Sequence, residues 1–523
     1  MLKLWALPLA IGLGLFPSAP VTQAQAPLNP TLRVGIVQRF GRQPSDRLQI
    51  VAGAQRSLTL RFTVNGQPRQ FRAQRLTVAI APVPLPTPEQ RSQLVISQHR
   101  SFESAEASAA QWRAKGFDVE IAQPQGWEVW LKPTPDLPDA ALPRLLQRLR
   151  SEGAASALLR SETRKTQPQL VWQLGDQRFQ GDRLEIESNG PITVAGIPYP
   201  GQLTLQPNAH GDFTLVNTVT VEDYLSGVVP HEIGAGAPAQ AIAAQAILAR
   251  TYALRNVRRF QVDNYELCAD VRCQVYRGWE SRLPTVEQAI RQTRGLVLSY
   301  NNQLIDAVYS STTGGITAGF EDAWLGQQRS YLQPRLDALR PLWNLQTKPL
   351  NQEANLKAFL QLREGFNETG QPRFRWQRRR SLAEIQAELK AYLRDRRDPR
   401  AEFQQIQSVA VSQRSPSGRV LEVIVQSDRG PIVIGRDEVR RAFAGLFSTL
   451  FYLEPEQDGQ GRPVAYRFVG GGFGHGVGLS QTGAMGLARQ GWNYDRILKF
   501  YYPQTQLEPL HPTMLQSVNA RKP

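Results

Sequence analysis

The stretch from Tyr224 to Arg255 restricts this chain more than any other part of it. An apolar run, Tyr224 to Val229, ends at Pro230; a carboxylate, Glu232, follows, and then Gly234-Ala235-Gly236. Proline lacks an N–H and restricts its neighbour, so Pro230 is expected to stop the preceding element and leave Glu232 at a strand or loop end. The small residues after it do not cover the carboxylate. Pro238 suits a first helical turn, where a missing N–H does no harm. From Ala239 to Arg255 the spacing predicts a helix, with Ile242, Ala246, Ala249 and Ala253 on one face, small enough for close packing. Gln245 and Tyr252 lie seven apart and share a face, and the same helix places Arg250. Part burial would raise the pKa of Glu232 and suit it to general acid work. The competing role is that Glu232 approaches the helix N-terminus and favours its dipole. Glu222 and Asp223 could serve as a second carboxylate or fix the local turn.

Residues 1–24 contain Lys3, an apolar segment over 4–16 and then small residues, the pattern of a secretory signal cut after Ala24. That segment is too short to span a bilayer comfortably, and no later run of about 18 apolar residues follows. The chain is therefore expected outside the cytoplasm, in the periplasm or cell wall. A net charge of +16 suits polyanions. The basic residues are dispersed, and an exported protein meets wall polymers first, so nucleic acid is not the expected partner. One basic run, Arg373-Phe374-Arg375-Trp376-Gln377-Arg378-Arg379-Arg380, reads as a solvated helix start in preference to a polyanion patch. The only cysteines, Cys268 and Cys273, exclude a disulfide-built scaffold.

Strand patterns at 31–37, 48–52, 58–64 and 70–81, with an Asn65-Gly66 turn, make an N-terminal β-rich part over 31–81. Prolines at 82, 84, 86 and 88 predict a linker, because proline at every second position is expected to forbid both helix and ladder. Residues 92–160 read strand, helix, strand, strand, helix, strand, with glycines 116 and 153 closing the two helices. This βαββαβ order is a ferredoxin-like split βαβ unit. From 169 onward β character returns, and the β-rich material on both sides of the module is expected to form one domain. Helical patterns at 352–362 and 381–394 mark an insertion over 333–403. Strands at 406–413, 420–426, 432–435 and 464–469 follow, with helical segments at 436–443 and from 481; the tail after 512 is expected to fray. The fold class is α+β: a β-rich core packed with helices, interrupted by a ferredoxin-like module.

Tyr224-Leu225, Val228-Val229-Pro230, Glu232, Gln240-Ala241, Ala244-Gln245-Ala246 and Ala249-Arg250-Thr251-Tyr252-Ala253 together resemble the signature of the stage II sporulation protein D (SpoIID/LytB) family. Later blocks extend the resemblance: Cys273-Gln274-Val275-Tyr276-Arg277-Gly278; Tyr309-Ser310-Ser311-Thr312-Thr313-Gly314-Gly315 with Trp324; and Gly472-Phe473-Gly474-His475-Gly476-Val477-Gly478-Leu479-Ser480-Gln481-Thr482-Gly483-Ala484. It implies a catalytic domain over 169–510 in an exported lytic transglycosylase. Such an enzyme acts on peptidoglycan glycan strands, especially those without stem peptides. The family's catalytic glutamate falls on Glu232 and an important arginine on Arg250. Ser310, Ser311, His475, Ser480 and Gln481 are the expected substrate-binding residues.

The late glycine-rich segment lacks the Lys-Ser/Thr of a P-loop. It reads as a wall that lets sugar rings approach the backbone, with His475 and Gln481 bonding hydroxyls or ordering a water; a purely structural His475 is the alternative. Some family members hold zinc through cysteines in the loop around 268–273. Here two thiolates fall short of four ligands and no histidine is near them in sequence, so a disulfide or free thiols is expected and no cofactor. The 92–160 module resembles the SPOR domain, which binds glycan strands. The LytB side of the family includes amidase enhancers. A non-catalytic wall-binding protein with an amidase partner is therefore the rival, and a hydrolytic muramidase the runner-up among enzymes.

Overall fold

The computed structural model describes residues 27–134, 138–396 and 398–519. The signal-like segment 1–24 lies outside the described residues. Eight strands and four helices carry the argument: β1 (Thr31–Phe40), β2 (Arg47–Ala52), β3 (Leu58–Val64), β4 (Gln67–Ala73), β5 (Arg75–His99), β6 (Val119–Ala122), β7 (Trp127–Leu131) and β8 (Leu158–Leu174), with α1 (Phe102–Ala114), α2 (Leu142–Ser151), α3 (Val221–Glu232) and α4 (Ala239–Arg255). The chain is α+β, with helices packed on several sheets.

The β-rich segments before and after the module share sheets. β1 runs antiparallel to Phe213–Thr220, β3 to Leu184–Glu187 and β2 to Ile192–Val194. The alternating apolar residues of these strands, such as Leu32, Val34, Leu58 and Leu60, are fully buried in one core with α3 and α4. The β3–β4 hairpin turns at Asn65 and Gly66, both at positive φ, as a two-residue turn requires.

Prolines 82 to 88 do not form a linker. β5 is one continuous strand of 25 residues that pairs in succession with β2, β8 and β7. Pro82 faces Pro168 and Pro84 faces Thr166 in the ladder with β8, which then shifts register before Glu89. Successive residues of a strand aim their N–H groups to opposite sides, so alternate prolines can all lose the same outward-facing donor. Over 82–84, β8 is the only strand beside β5, which is why proline is tolerated.

Beyond this arm, β5, β6, β7 and β8 order as β8-β5-β7-β6, all antiparallel, with α1 and α2 between them in sequence. α1 starts where the Ser101 side chain accepts the Ser104 N–H, and the chain turns at Gly116 with φ +87. The core of this unit is continuous with the rest: Trp127 lies 5.0 Å from Phe260, ring to ring. Ion pairs Arg258–Glu106 and Arg259–Glu103, and the Leu325 N–H to Ser104 Oγ bond, fix α1 against the chain beyond residue 220.

The 373–380 basic run is not a helix start. Trp376–Ser381 is a strand paired with Pro463–Gly470. Arg375 is held by the carbonyls of Leu360, Leu362 and Gly314, and Arg373 lies 4.2 Å over the Phe473 ring. Alternation wins over the local charge because Trp376 is buried in a separate core built on Ile385, Leu389, Phe403 and Phe468. The tail does not fray at 512: Pro512–Asn519 is helical and Met514 is fully buried.

Candidate active site

Glu232 is the last residue of α3, not the end of a strand or loop. The helix begins with Thr220, whose hydroxyl accepts the Asp223 N–H. Pro230 lies inside its last turn. There the missing N–H removes a single bond to Ser226, in a helix whose residues 224–230 are all buried against neighbouring elements. One of those elements is the Cys273–Gly278 block. Arg277 N–H bonds the Gly227 carbonyl at 3.0 Å, and Tyr276 hydroxyl donates to Asn217 at 2.7 Å.

The Glu232 carboxylate does not cap α4, which starts at Pro238 with no side-chain cap. Instead it accepts the Val275 N–H at 2.8 Å and faces the Tyr309 hydroxyl. Tyr309 is oriented in turn: Gln274 Nε2 donates to its oxygen at 3.0 Å, while Tyr224 hydroxyl donates to Gln274 Oε1 at 3.2 Å. Burial raises the carboxyl above the usual range, and the bonds from Val275 and Tyr309 oppose that only in part. Standing at a helix C-terminus works in the same direction, because the dipole there disfavours negative charge.

Glu232 lines a cavity of about 620 Å³ with Tyr252, Val275, Tyr309, Ser310, Trp324 and His475. Three other carboxylates also line it, and each has a guanidinium: Glu103 with Arg259, Asp437 with Arg440 at 2.8 Å, and Glu438 with Arg396 at 2.8 Å. Among the described lining residues Glu232 is the carboxyl without one.

The other expected site residues divide. His475 is on the cavity wall, its ring 4.8 Å from Trp324. Its Nδ1 accepts the Val477 N–H at 3.0 Å, so the neutral ring carries its proton on Nε2, toward the Tyr309 backbone. Burial pushes its pKa down to about 4. Ser310 reaches the same cavity with a buried hydroxyl that has no hydrogen-bond partner. Gln481 does not line the cavity but touches the catalytic candidate through the backbone, Nε2 to Glu232 carbonyl at 2.9 Å. Ser311 and Ser480 do not line the cavity: Ser311 offers its carbonyl to Thr482, and Ser480 caps the Gln481–Arg489 helix while its hydroxyl bonds Glu368.

Arg250 is not brought to Glu232. It is fully buried, donates to both oxygens of Glu222 at 2.8 and 2.7 Å, and bonds the Leu296 carbonyl at 3.0 Å. At about 100° per residue, Arg250 projects some 200° away from Tyr252, which does reach the cavity. Of the late glycines Gly474 lines the cavity, and the others of this run serve close backbone approach. Gly474, at φ +113, has the Ser310 side chain 2.7 Å from where a Cβ would stand, and Gly478, at φ +73, has the Val308 carbonyl at 2.0 Å. They let two backbone segments meet, including the parallel pair Tyr309–Leu479 and Ser310–Ser480.

Sequence reasoning missed Val275 and Tyr309 as partners of Glu232. It also missed Glu368, a fully buried carboxylate accepting from Thr313 N–H, Gly315 N–H and Ser480 hydroxyl. Cys268 and Cys273 are joined as a disulfide at the start of the loop that carries Val275.

Residues 209–300, which contain Glu232, match the family model described as Stage II sporulation protein (SpoIID). The chain carries a SpoIID domain. A second model, a domain of unknown function (DUF8618), covers residues 318–478, so the SpoIID match is followed, after a short gap, by a stretch that matches another family. The chain is 28% identical over 309 residues to stage II sporulation protein D of Bacillus subtilis, covering 56% of this chain and 75% of that one. It is 28% identical over 303 residues to the amidase enhancer of Bacillus subtilis, covering 54% of this chain and 40% of that one. An uncharacterized protein of Brachyspira hyodysenteriae is 27% identical over 353 residues, 66% of this chain and 82% of the other. The cavity joins the two matched stretches: Glu232, Tyr252 and Val275 come from the SpoIID match, and Trp324, Arg440 and His475 from the other. Among the described residues no helix is long and apolar enough to cross a membrane.

Proposed function

We propose that this protein is an exported peptidoglycan lytic transglycosylase, with Glu232 as its acid and base. The observation that carries the proposal is a single carboxyl, kept protonable by burial and unpaired with any guanidinium, on the wall of a cavity that holds several sugar-sized groups. Glu232 protonates the glycosidic oxygen between N-acetylmuramic acid and N-acetylglucosamine. The carboxylate so formed, steadied by the Val275 N–H and the Tyr309 hydroxyl, then takes the proton of the muramic C6 hydroxyl, which closes a 1,6-anhydro ring. No water is consumed, so the paired carboxylates of ordinary glycosidases are not required. Ser310 contacts the strand and Gln481 positions the Glu232 end of α3, with His475 neutral on the cavity wall. The preferred strands lack stem peptides, and the 92–160 module is a SPOR-like aid to wall binding.

One observation favours a second reading, a non-catalytic wall protein partnered by an amidase: a relative as similar as the sporulation protein is an amidase enhancer. Purified strands incubated with wild type and with Glu232→Gln, with products read by mass spectrometry, decide between them. Anhydro ends from wild type alone support the transglycosylase. Wall binding without cleavage by either protein supports the second reading, and water-added reducing ends indicate a muramidase.

A further inference from the structure

The cavity at Glu232 does not stop at the βαββαβ module. Gln98, His99, Arg100 and Trp127, together with Arg396, line both it and a second cavity of about 390 Å³ on their far side. Arg100 spans the junction. Its Nη2 lies 2.5 Å from Asp395, which lines the second cavity, and its Nε lies 3.7 Å from Glu438, which lines the first. The second cavity is built where the N-terminal sheet meets the module, from Arg39 and Arg42 on one side and Arg160 and Glu128 on the other.

The charges there are unequally used. Arg160 is committed to Glu128 at 2.9 Å, and Arg100 to Asp395. Arg39 donates through Nη2 to the Gln123 carbonyl at 2.6 Å, but its Nη1 is buried without a hydrogen bond, 3.8 Å from Asp212. Burial raises the Asp212 carboxyl while Asn208, Arg39, His210 and Arg42 act to lower it, so this one carboxylate faces both guanidiniums. Arg42 is exposed beside it, and among the described residues no carboxylate is paired with it within 4 Å. Two guanidiniums that share one carboxylate, one of them exposed to the cavity, leave positive charge for an anion that arrives from outside.

We propose that this second cavity is a distal subsite that takes a carboxylate of the same glycan strand held at Glu232, with Arg39 and Arg42 as its ligands and Arg100 as the divider between the two subsites. The inference rests on the strand-cleaving reading above. It gives the module a different part from that of a separate tether: its edge forms the wall between two stretches of one bound strand. The carboxylate is either the sugar's own lactyl group or one on an attached peptide.

The test measures binding on the full chain with Glu232→Gln, so that it does not depend on cleavage. Fluorescently labelled strands are titrated against this protein and against versions also carrying Arg42→Gln, Arg39→Gln or, as a charge-matched control, the exposed Arg462→Gln. Loss of one charge-assisted contact predicts binding about tenfold weaker for each cavity variant and unchanged for the control. Strands whose carboxylates have been amidated should bind all versions alike. Stripped strands and strands bearing peptides are compared to assign the source: a loss confined to one of them names that carboxylate. Equal binding by Arg42→Gln and its parent, an equal loss with Arg462→Gln, or an undiminished Arg42 effect on amidated strands would each overturn the proposal. If Arg39→Gln fails to fold, Arg42→Gln alone carries the test. Wild-type protein is assayed for cleavage in parallel, so a chain that binds in this way but does not cut defeats the transglycosylase and leaves the subsite standing.

Discussion

The two ends of α3 carry glutamates with opposite fates. Glu222, in the first turn, sits where the helix dipole favours a negative charge and is clamped by both arms of buried Arg250. Glu232, about 15 Å along the same helix, sits where the dipole disfavours that charge and meets an amide and a phenol but no guanidinium. One helix thus holds one carboxylate that is clamped as structure and one that is kept ready to exchange a proton. Proximity in sequence did not distinguish them; the partner each end meets does.

The largest expected effect breaks the chemical end. Glu232→Gln keeps the shape and the Val275 bond but has no proton to exchange, so cleavage should fall by roughly 10²–10⁴-fold, the worth of a positioned acid–base group. Counting anhydro ends over time checks this, and cleavage retained by the variant refutes the assignment. Breaking the structural end should act on stability instead. Arg250→Ala leaves Glu222 half-buried and unpaired at a cost of up to about 3–5 kcal/mol, read in urea unfolding. Arg250→Lys keeps the charge and loses the bidentate fork, and should fall between it and wild type. If Arg250→Lys folds like wild type yet loses cleavage, Arg250 reaches the reaction in a way its contacts do not indicate.

Much of this arrangement was legible from residues. The α4 boundaries, the Asn65-Gly66 hairpin and the strand order around the module follow from turn chemistry and period, which are local. Glu232 and Ser310 were found through blocks of sequence that the structure brings to one cavity. The misses share a cause: the deciding partner was distant in the chain. Arg250 reads as a site residue until Glu222 is seen on its other side. The prolines at 82 to 88 read as a linker until β8 is laid against β5. Gly478 reads as an open loop until Val308 is found against it. Val275 stood in a block of the resemblance but gave no sign of its role, because its contribution to Glu232 is a backbone N–H that any residue but proline would supply.

The glycines offer a smaller test, of whether the cavity depends on close backbone approach. Gly478→Ala meets the Val308 carbonyl at 2.0 Å with φ +73, whereas Gly491 also has positive φ, +86, but nothing within 4 Å of a new Cβ. Both substitutions carry the cost of a strained φ, on the order of 1 kcal/mol. Only Gly478→Ala should add a steric cost and move Ser310, so it should lower thermal stability more than Gly491→Ala and alone weaken strand binding. Equal effects would mean that the Tyr309–Leu479 pairing tolerates separation.

The pH dependence of stability separates the two glutamates with the least perturbation. The folded-state pKa of Glu232 is raised by burial, so below its unfolded value, near 4.3, both states hold the proton and its contribution is fully present. As pH rises from there through the raised folded value, the unfolded chain releases a proton that the folded chain still holds, and stability falls until the folded group also ionises. Glutamine holds no titrating proton, so Glu232→Gln escapes that loss. Its stability relative to wild type should therefore climb across this window and level off above it, while the cleavage rate of wild type declines over the same range as the acid is lost. Glu222→Gln should instead be less stable than wild type, because it leaves a buried guanidinium without its carboxylate. Thermal unfolding of the three proteins at a series of pH values measures both. A flat difference between Glu232→Gln and wild type would mean that the carboxyl at the end of α3 is solvated after all, and would remove the physical reason for choosing it as the acid.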